Sequence, residues 1–240
     1  MNGQLKDSVV LITGSSIGIG RATALEFARE GCQVVVTYYQ DEQEARETAD
    51  RCRELGAPEV MVQDLNIMDG VSINEAVDAV VQEKGRIDIL VNNAGVITWK
   101  KLADQSFAEI EQQIRTNLEG TIKMTKAALP HVKGMVINMA SPTALHGHPT
   151  LTAYAASKGG IISFTKTLAM ELEPVKVYNV IPGETATRMT DFEGDPPEEV
   201  AEVTVRLARG EYDIESGENV SVKKPPASRQ KQPVRPGPTR

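Results

Sequence analysis

A chain of 240 residues, 40% hydrophobic and 25% charged, is long enough for one α/β domain with a sizeable core, short for two, and too apolar to be disordered throughout. The formal charge of −7 is uneven: six basic and no acidic residues between Lys223 and Arg240 leave −13 on the remainder, and an acidic body argues against nucleic acid as the main partner. There is no apolar run of membrane-spanning length and no basic-then-apolar leader, so we expect no membrane partner and no secretory signal; the two widely separated cysteines, Cys32 and Cys52, read as reduced thiols of a cytoplasmic protein.

The first predicted strand is "SVVLIT" (8–13), followed by "TGSSIGIG" (13–20) and a helical pattern over 18–30. Gly14, Gly18 and Gly20, with Ser16, Ile17 and Ile19 between them, let the backbone approach a pyrophosphate at a helix N-terminus. The spacing is G-x-x-x-G-x-G, and a tight strand–helix turn would use the same glycines; the place after the first of several buried strands favours the dinucleotide. The second strand (32–38) ends at Tyr38 and Tyr39, where an acid would favour NAD and a base NADP. Asp41 already falls in the next helix (41–55), and no Lys or Arg stands nearby unless Arg21 turns back, so the expected cofactor is NADP in preference to NAD.

The third strand (59–63) leads to Asp64 and Leu65; Asp64 suits an adenine amino group or a helix cap equally. A helix over 69–84 precedes the fourth strand, "IDILVN" (87–92), which runs into "NNAG" (92–95). One long helix is expected over 106–131, then a strand over 134–140 ending at Ser141. "LHGHPT" reads as loop, and His146 and His148 without a third ligand read as solvated rather than as a metal site. A helix over 152–173 carries "TAYAASKGG"; strand 175–181, "PGETAT" (182–187), helix 197–210 and a short strand over 218–222 complete the pattern. Near-continuous β-branched runs alternating with helices imply a doubly wound parallel sheet of Rossmann type: a single α/β domain over 1–222, with a basic Pro-rich tail over 223–240.

Tyr154 and Lys158, four apart on a helix, share one face. A phenol with a reference pKa of about 10 is a poor base at neutral pH, and a nearby ammonium favours its ionised form. Ser141, at the C-terminal end of a central strand, stands where open α/β sheets bind ligands and is suited to hydrogen-bond a substrate oxygen. Each feature alone is common on surfaces; their combination is not.

Taken with "TGSSIGIG", "NNAG", Asn117 in "IRTNLEG", Ser141, "YAASK" and "PGETAT", the chain resembles the classical short-chain dehydrogenases/reductases over 5–222, closest in pattern to the 3-oxoacyl-carrier-protein reductase and sugar dehydrogenase branches. The resemblance implies a catalytic set of Asn117, Ser141, Tyr154 and Lys158, with Tyr154 as general acid/base, Ser141 steadying the substrate, Lys158 lowering the phenol pKa and holding ribose, and Asn117 holding a relay water. It implies that Asn92, Ala94 and Gly95 stabilise the sheet and contact the adenosine side, and that Pro182, Gly183, Thr185 and Thr187 position the nicotinamide amide. The activity implied is hydride exchange between NADP or NAD and a secondary alcohol or ketone. The implied assembly is a homodimer or homotetramer through helices 106–131 and 152–173.

Three stretches depart from that pattern. "ELEPVKVYNVIPG" is short, so trimming of the sixth strand and its flanks is expected; the substrate lid after Thr187 is abbreviated; and the usual Asp-Gly-Gly after the last strand is replaced by the basic tail. An abbreviated lid leaves a non-catalytic dinucleotide-binding regulator as the alternative reading. It also suggests that the tail covers the acidic "DFEGDPPEE" beside the site. Trp99, Leu145, His146, His148, Leu151, Glu184 and Met189 are the candidates for the substrate side, with Trp99 equally suited to a surface or subunit contact.

Overall fold

The computed structural model describes residues 4–226. Seven strands form one parallel sheet: β1 (Val9–Ile12), β2 (Gln33–Tyr38), β3 (Val60–Asp64), β4 (Ile87–Asn92), β5 (Val132–Met139), β6 (Lys176–Ile181) and β7 (Asn219–Ser221). The order is β3-β2-β1-β4-β5-β6-β7. The chain winds outward from β1 to β3, returns, and winds the other way from β4. That reversal opens a crevice between the C-terminal ends of β1 and β4, where an open α/β sheet binds ligands.

The strands are apolar on both faces because both are covered. Helices α1 (Gly18–Arg29), α2 (Glu42–Glu54) and α8 (Pro197–Ala208) bury Phe27, Ala49, Val200 and their neighbours on one face. Helix α3 (Gly70–Lys84), helix α5 (Thr121–Ala128) and helix α7 (Thr152–Glu171) bury Ile73, Met124 and Leu168 on the other. Local chemistry sets several boundaries. The Asp69 carboxylate accepts from Val71 N–H to start α3, and Gly85, at φ +75°, ends it in the left-handed region. Ser106 and Glu109 form a capping box at the start of helix α4 (Phe107–Ile114). Among the described residues no helix is long and apolar enough to cross a membrane.

Three expectations are corrected. The helix expected over 106–131 is divided: α4 is followed by a π-helical turn (Arg115–Gly120), then α5 and a 3-10 turn (Leu129–His131). Thr121 and Thr125 hydroxyls donate to the carbonyls four residues earlier, at 3.0 and 2.8 Å, a bonding mode that loosens helices. At Gly120 a Cβ would stand 2.7 Å from the Ile67 carbonyl, so only glycine seats this turn against the β3–α3 loop. The stretch after Ser141 is not all loop: Thr143–His146 form a short helix, α6, closed by Gly147 at φ +69°. Finally, β6 is not trimmed. It pairs with β5 and β7, and five of its six residues are buried.

One row of the sheet is polar. Asn92, Asn138, Asn179 and Asn219 stand side by side in register across β4 to β7. Asn92 donates to Asn138 Oδ1 (2.8 Å) and Thr125 Oγ1 (2.9 Å), and Asn138 donates to Thr165 Oγ1 (2.8 Å). Thr165 in turn donates to Asn179 Oδ1 (2.7 Å), and Asn179 to Asn219 Oδ1 (2.8 Å). This buried chain ties the strand ends together just beneath Ser141, and each polar group costs free energy if its partner is lost.

Candidate active site

The crevice is a cleft of about 790 Å3, within the range of small-molecule sites. Its phosphate end is the turn after β1. Gly14 and Gly18 have φ of +62° and +57°. Gly20 is required by contact rather than torsion: a Cβ would lie 2.3 Å from Gly14 O and 2.5 Å from Asn93 Nδ2. The loop is fastened on both sides. Thr37 of β2 donates through its hydroxyl to Ile12 O and accepts from Gly14 N–H. After β4, Asn93 donates to Thr13 O and Gly14 O at 3.0 and 2.9 Å. Helix α1 begins at this turn with no side-chain cap and no acid in its first turn. Uncapped amides and the positive end of the helix facing a cleft fit a pyrophosphate.

The floor lies at the ends of β5 and α7. Ser141, Tyr154 and Lys158 are all at least nine-tenths buried and line the same cleft. The Ser141 hydroxyl shares a hydrogen bond with Thr143 Oγ1 (2.9 Å) and accepts from Thr143 N–H (3.3 Å). Lys158 Nζ donates to Met139 O at 2.7 Å and stands 5.8 Å from the Tyr154 ring centre. Burial pulls the Lys158 ammonium down to about 8. Burial also raises the Tyr154 pKa, and the Ser141 hydrogen bond offsets this only in part.

Asn117 sits in the π turn and is fully buried. Its amide grips the loop after β4: Oδ1 accepts from Val96 N–H (2.8 Å), and Nδ2 donates to Val96 O (2.9 Å) and Ser157 Oγ (3.1 Å). Its side chain thus has committed partners, and what it visibly does is hold Gly95 and Val96 beside Lys158.

Of the candidate cofactor contacts, Gly14, Ser16, Ile17, Gly18, Ile19, Tyr38, Leu65, Ala94, Gly95, Pro182, Gly183, Thr185 and Thr187 line the cleft. Gly20, Asp64 and Asn92 do not. Gly20 packs behind the loop, and Asp64 is the exposed last residue of β3. Asn92 is consumed by the asparagine row; its neighbour Asn93 meets the cleft instead, a residue that sequence reasoning passed over although both stand in "NNAG". Asn66, Ile67, Met68 and Thr116 were also missed, because nothing local marks a loop residue as cleft-facing. Arg21 lines an adjoining groove with Glu44 and Glu47, which shares Gly18 and Arg188 with the cleft.

On the substrate side, Trp99, His148, Leu151, Glu184 and Met189 line the cleft, whereas Leu145 and His146 do not. Trp99 Nε1 donates to Met189 O (3.1 Å), and its ring meets His148 edge-on at 5.6 Å. The abbreviated lid is a folded turn. The Thr190 hydroxyl donates to Thr185 O (2.6 Å) and also stands 2.8 Å from Glu193 O, Ala186 N–H donates to Asp195 O (2.8 Å), and Asp195 N–H donates to Glu184 O (2.8 Å). Lys223, where the basic tail begins, pairs with Asp195 and Glu199. The remainder of the proposed tail contact, at 227–240, lies outside the described residues. Cys32 and Cys52 are buried thiols that burial pushes up to about 12, so neither is a nucleophile for this site.

Comparison with known proteins agrees with this geometry. Residues 8–197 match the short chain dehydrogenase family model. The 3-oxoacyl-acyl-carrier-protein reductase FabG of Thermotoga maritima is 34% identical over 241 residues, covering 91% of this chain and 97% of that protein. The 11-beta-hydroxysteroid dehydrogenase-like 4A of Arabidopsis thaliana is 39% identical over 189 residues, covering 75% of this chain but only 62% of the plant protein. A short-chain dehydrogenase/reductase structure from Serratia marcescens superposes with a TM-score of 0.85 at 27% identity, over 91% of this chain and 97% of that one. With the matched family model spanning the glycine turn, the cleft floor and the lid, the chain belongs to the short-chain dehydrogenases and is an NAD(P)-dependent oxidoreductase.

Proposed function

We propose that the chain interconverts a ketone and a secondary alcohol, with Tyr154 as the general acid/base. The observation that carries this reading is the convergence of a phenol, a serine hydroxyl and a lysine ammonium, all buried, at one end of a cleft whose other end is an uncapped helix N-terminus. A bound nicotinamide supplies or accepts the hydride. In the reducing direction Tyr154 passes its proton to the substrate oxygen, and its raised pKa keeps that proton in place until charge develops there. Ser141 donates a second hydrogen bond to the same oxygen, giving up its contact with Thr143. Lys158, at a pKa of about 8, is mostly charged at neutral pH and favours the phenolate that remains. Asn117 keeps Gly95 and Val96 in place against this set.

Gly14, Ser16, Ile17, Gly18 and Ile19 would hold the pyrophosphate, Tyr38 and Leu65 the adenosine side, and Pro182, Gly183, Thr185 and Thr187 the nicotinamide side. With no acid at Tyr38 or Tyr39, NADP is expected to bind at least as well as NAD. Similarity to the Thermotoga reductase makes 3-oxoacyl thioesters the first substrate class to try. Phe107 on α4 and Met170 on α7, 91% and 88% exposed, suit a two-fold contact between copies, which light scattering would detect as a dimer or tetramer. The deciding experiment follows nicotinamide absorbance with 3-oxoacyl thioesters, sugars, steroids and small ketones and both cofactors. Tight dinucleotide binding without turnover on any of them would count against the assignment.

A further inference from the structure

The end of β2 that reads the ribose carries no cation in sequence, yet the fold brings one there. Among the described residues lining the cleft, the Lys and Arg side chains are Lys158 and Arg188. Lys158 is at the floor, bonded to Met139 O. Arg188 belongs to the abbreviated lid and reaches across the cleft to the start of α2. Its NH2 donates to Glu44 Oε1 at 3.0 Å, and its NH1 stands 3.9 Å from Asp41 Oδ1. Tyr38, Tyr39, Gln40, Asp41 and Arg188 therefore share one wall.

A 2′-phosphate carries close to two negative charges at neutral pH, and Asp41 and Glu44 alone would repel it. Arg188 offsets them. A guanidinium offers five N–H donors in a planar fork, suited to two phosphate oxygens at once. Among the described residues only one arm is within hydrogen-bond distance of an acceptor; the arm towards Asp41 is beyond it. The Asp41 side chain caps nothing at the start of α2 and leaves Arg188 without a strong second hold.

We propose that Arg188 is the residue that reads the 2′-phosphate of NADP, its pairing with Glu44 and Asp41 being the rest position that it leaves or shares when that phosphate arrives. This rests on the reading of the cleft as the dinucleotide site. The lid, short as it is, thus takes part in cofactor choice, and NADP ties it to β2 where NAD does not.

The test measures dissociation constants of NADPH and NADH from cofactor fluorescence, with no substrate, for the parent, Arg188→Gln, Arg188→Lys and Glu44→Gln. Loss of charge-assisted hydrogen bonds predicts that Arg188→Gln weakens NADPH by about tenfold to a hundredfold. NADH should be unaffected, Arg188→Lys should recover part of the loss, and Glu44→Gln should tighten NADPH by releasing the fork. Trp99, the single tryptophan, is bonded to Met189 beside Arg188, so its emission should respond more to NADPH than to NADH in the parent and equally in Arg188→Gln. An NADPH-to-NADH ratio that Arg188→Gln leaves unchanged, or a parent that prefers NADH, overturns the assignment to Arg188. A parent that binds neither dinucleotide overturns the reading of the cleft itself.

Discussion

The two ends of the cleft are held in place by different physics. The floor, where β4, β5 and β6 end, is buried and over-determined: the asparagine row, the Asn117 grip on Val96 and the Lys158 bond to Met139 leave few polar groups free. The rim is fastened by exposed charge pairs, Arg188 to Glu44 and Lys223 to Asp195, and by one indole bond, Trp99 to Met189. Buried neutral networks resist change and lose much when broken, whereas exposed ion pairs contribute little and exchange partners readily. A site that must orient a proton to fractions of an ångström while admitting a substrate needs both: rigid acid/base groups and a rim that can yield.

The largest effect should come from the floor's chemistry. Tyr154→Phe removes the proposed proton donor and should lower turnover by about 10²–10⁴-fold while dinucleotide affinity, measured by titration, stays near the parent's. Near-normal turnover would remove Tyr154 from the mechanism. Next is the glycine turn. Gly20→Val puts a side chain into Gly14 O and Asn93, and should cost at least about tenfold in dinucleotide affinity. Gly159→Ala, where a Cβ meets nothing within 4 Å, serves as the tolerated control.

The asparagine row offers a direct test of how rigid the floor is. Asn138→Leu takes one hydrogen-bond partner each from Asn92 and Thr165, which keep Thr125 and Asn179, and should destabilise the fold by about 2–4 kcal/mol, read as a shift in denaturant midpoint. A neutral result would mean that the row is filled equally well by packing. A smaller contribution follows from Lys158. Its folded pKa is about 8 against an ordinary 10.5, so between these values the unfolded chain binds more protons. Stability of the ligand-free protein should therefore rise with pH across that window, by at most about 3 kcal/mol, and Lys158→Met should flatten the rise. Tyr154, whose pKa is raised, acts in the opposite sense only above pH about 10. The smallest effect belongs to the rim. Lys223→Gln removes the exposed pairs to Asp195 and Glu199 and should leave the denaturant midpoint almost unchanged; a clear drop would show that floor and rim are not as different as their burial suggests.

The sequence by itself determined the layout of the sheet and named Ser141, Tyr154 and Lys158, which the fold brings to one cleft. Apolar β-branched runs of strand length can only be buried between two helical layers, and the glycines of "TGSSIGIG" and the Tyr154–Lys158 spacing are local signals that survive without knowledge of the fold. Strand ends fell within two residues of expectation at every strand. What only the tertiary structure decided are the features made by residues far apart in the chain. Which of Asn92 and Asn93 faces the cleft depends on the partner row across β5 to β7. The break in the helix after Ile114 depends on Ile67 pressing on Gly120. The pKa of Tyr154 depends on burial that no spacing reveals. And a guanidinium absent from the end of β2 in sequence, that of Arg188, reaches the start of α2 only in the folded chain, where it donates to Glu44, 144 residues away in sequence.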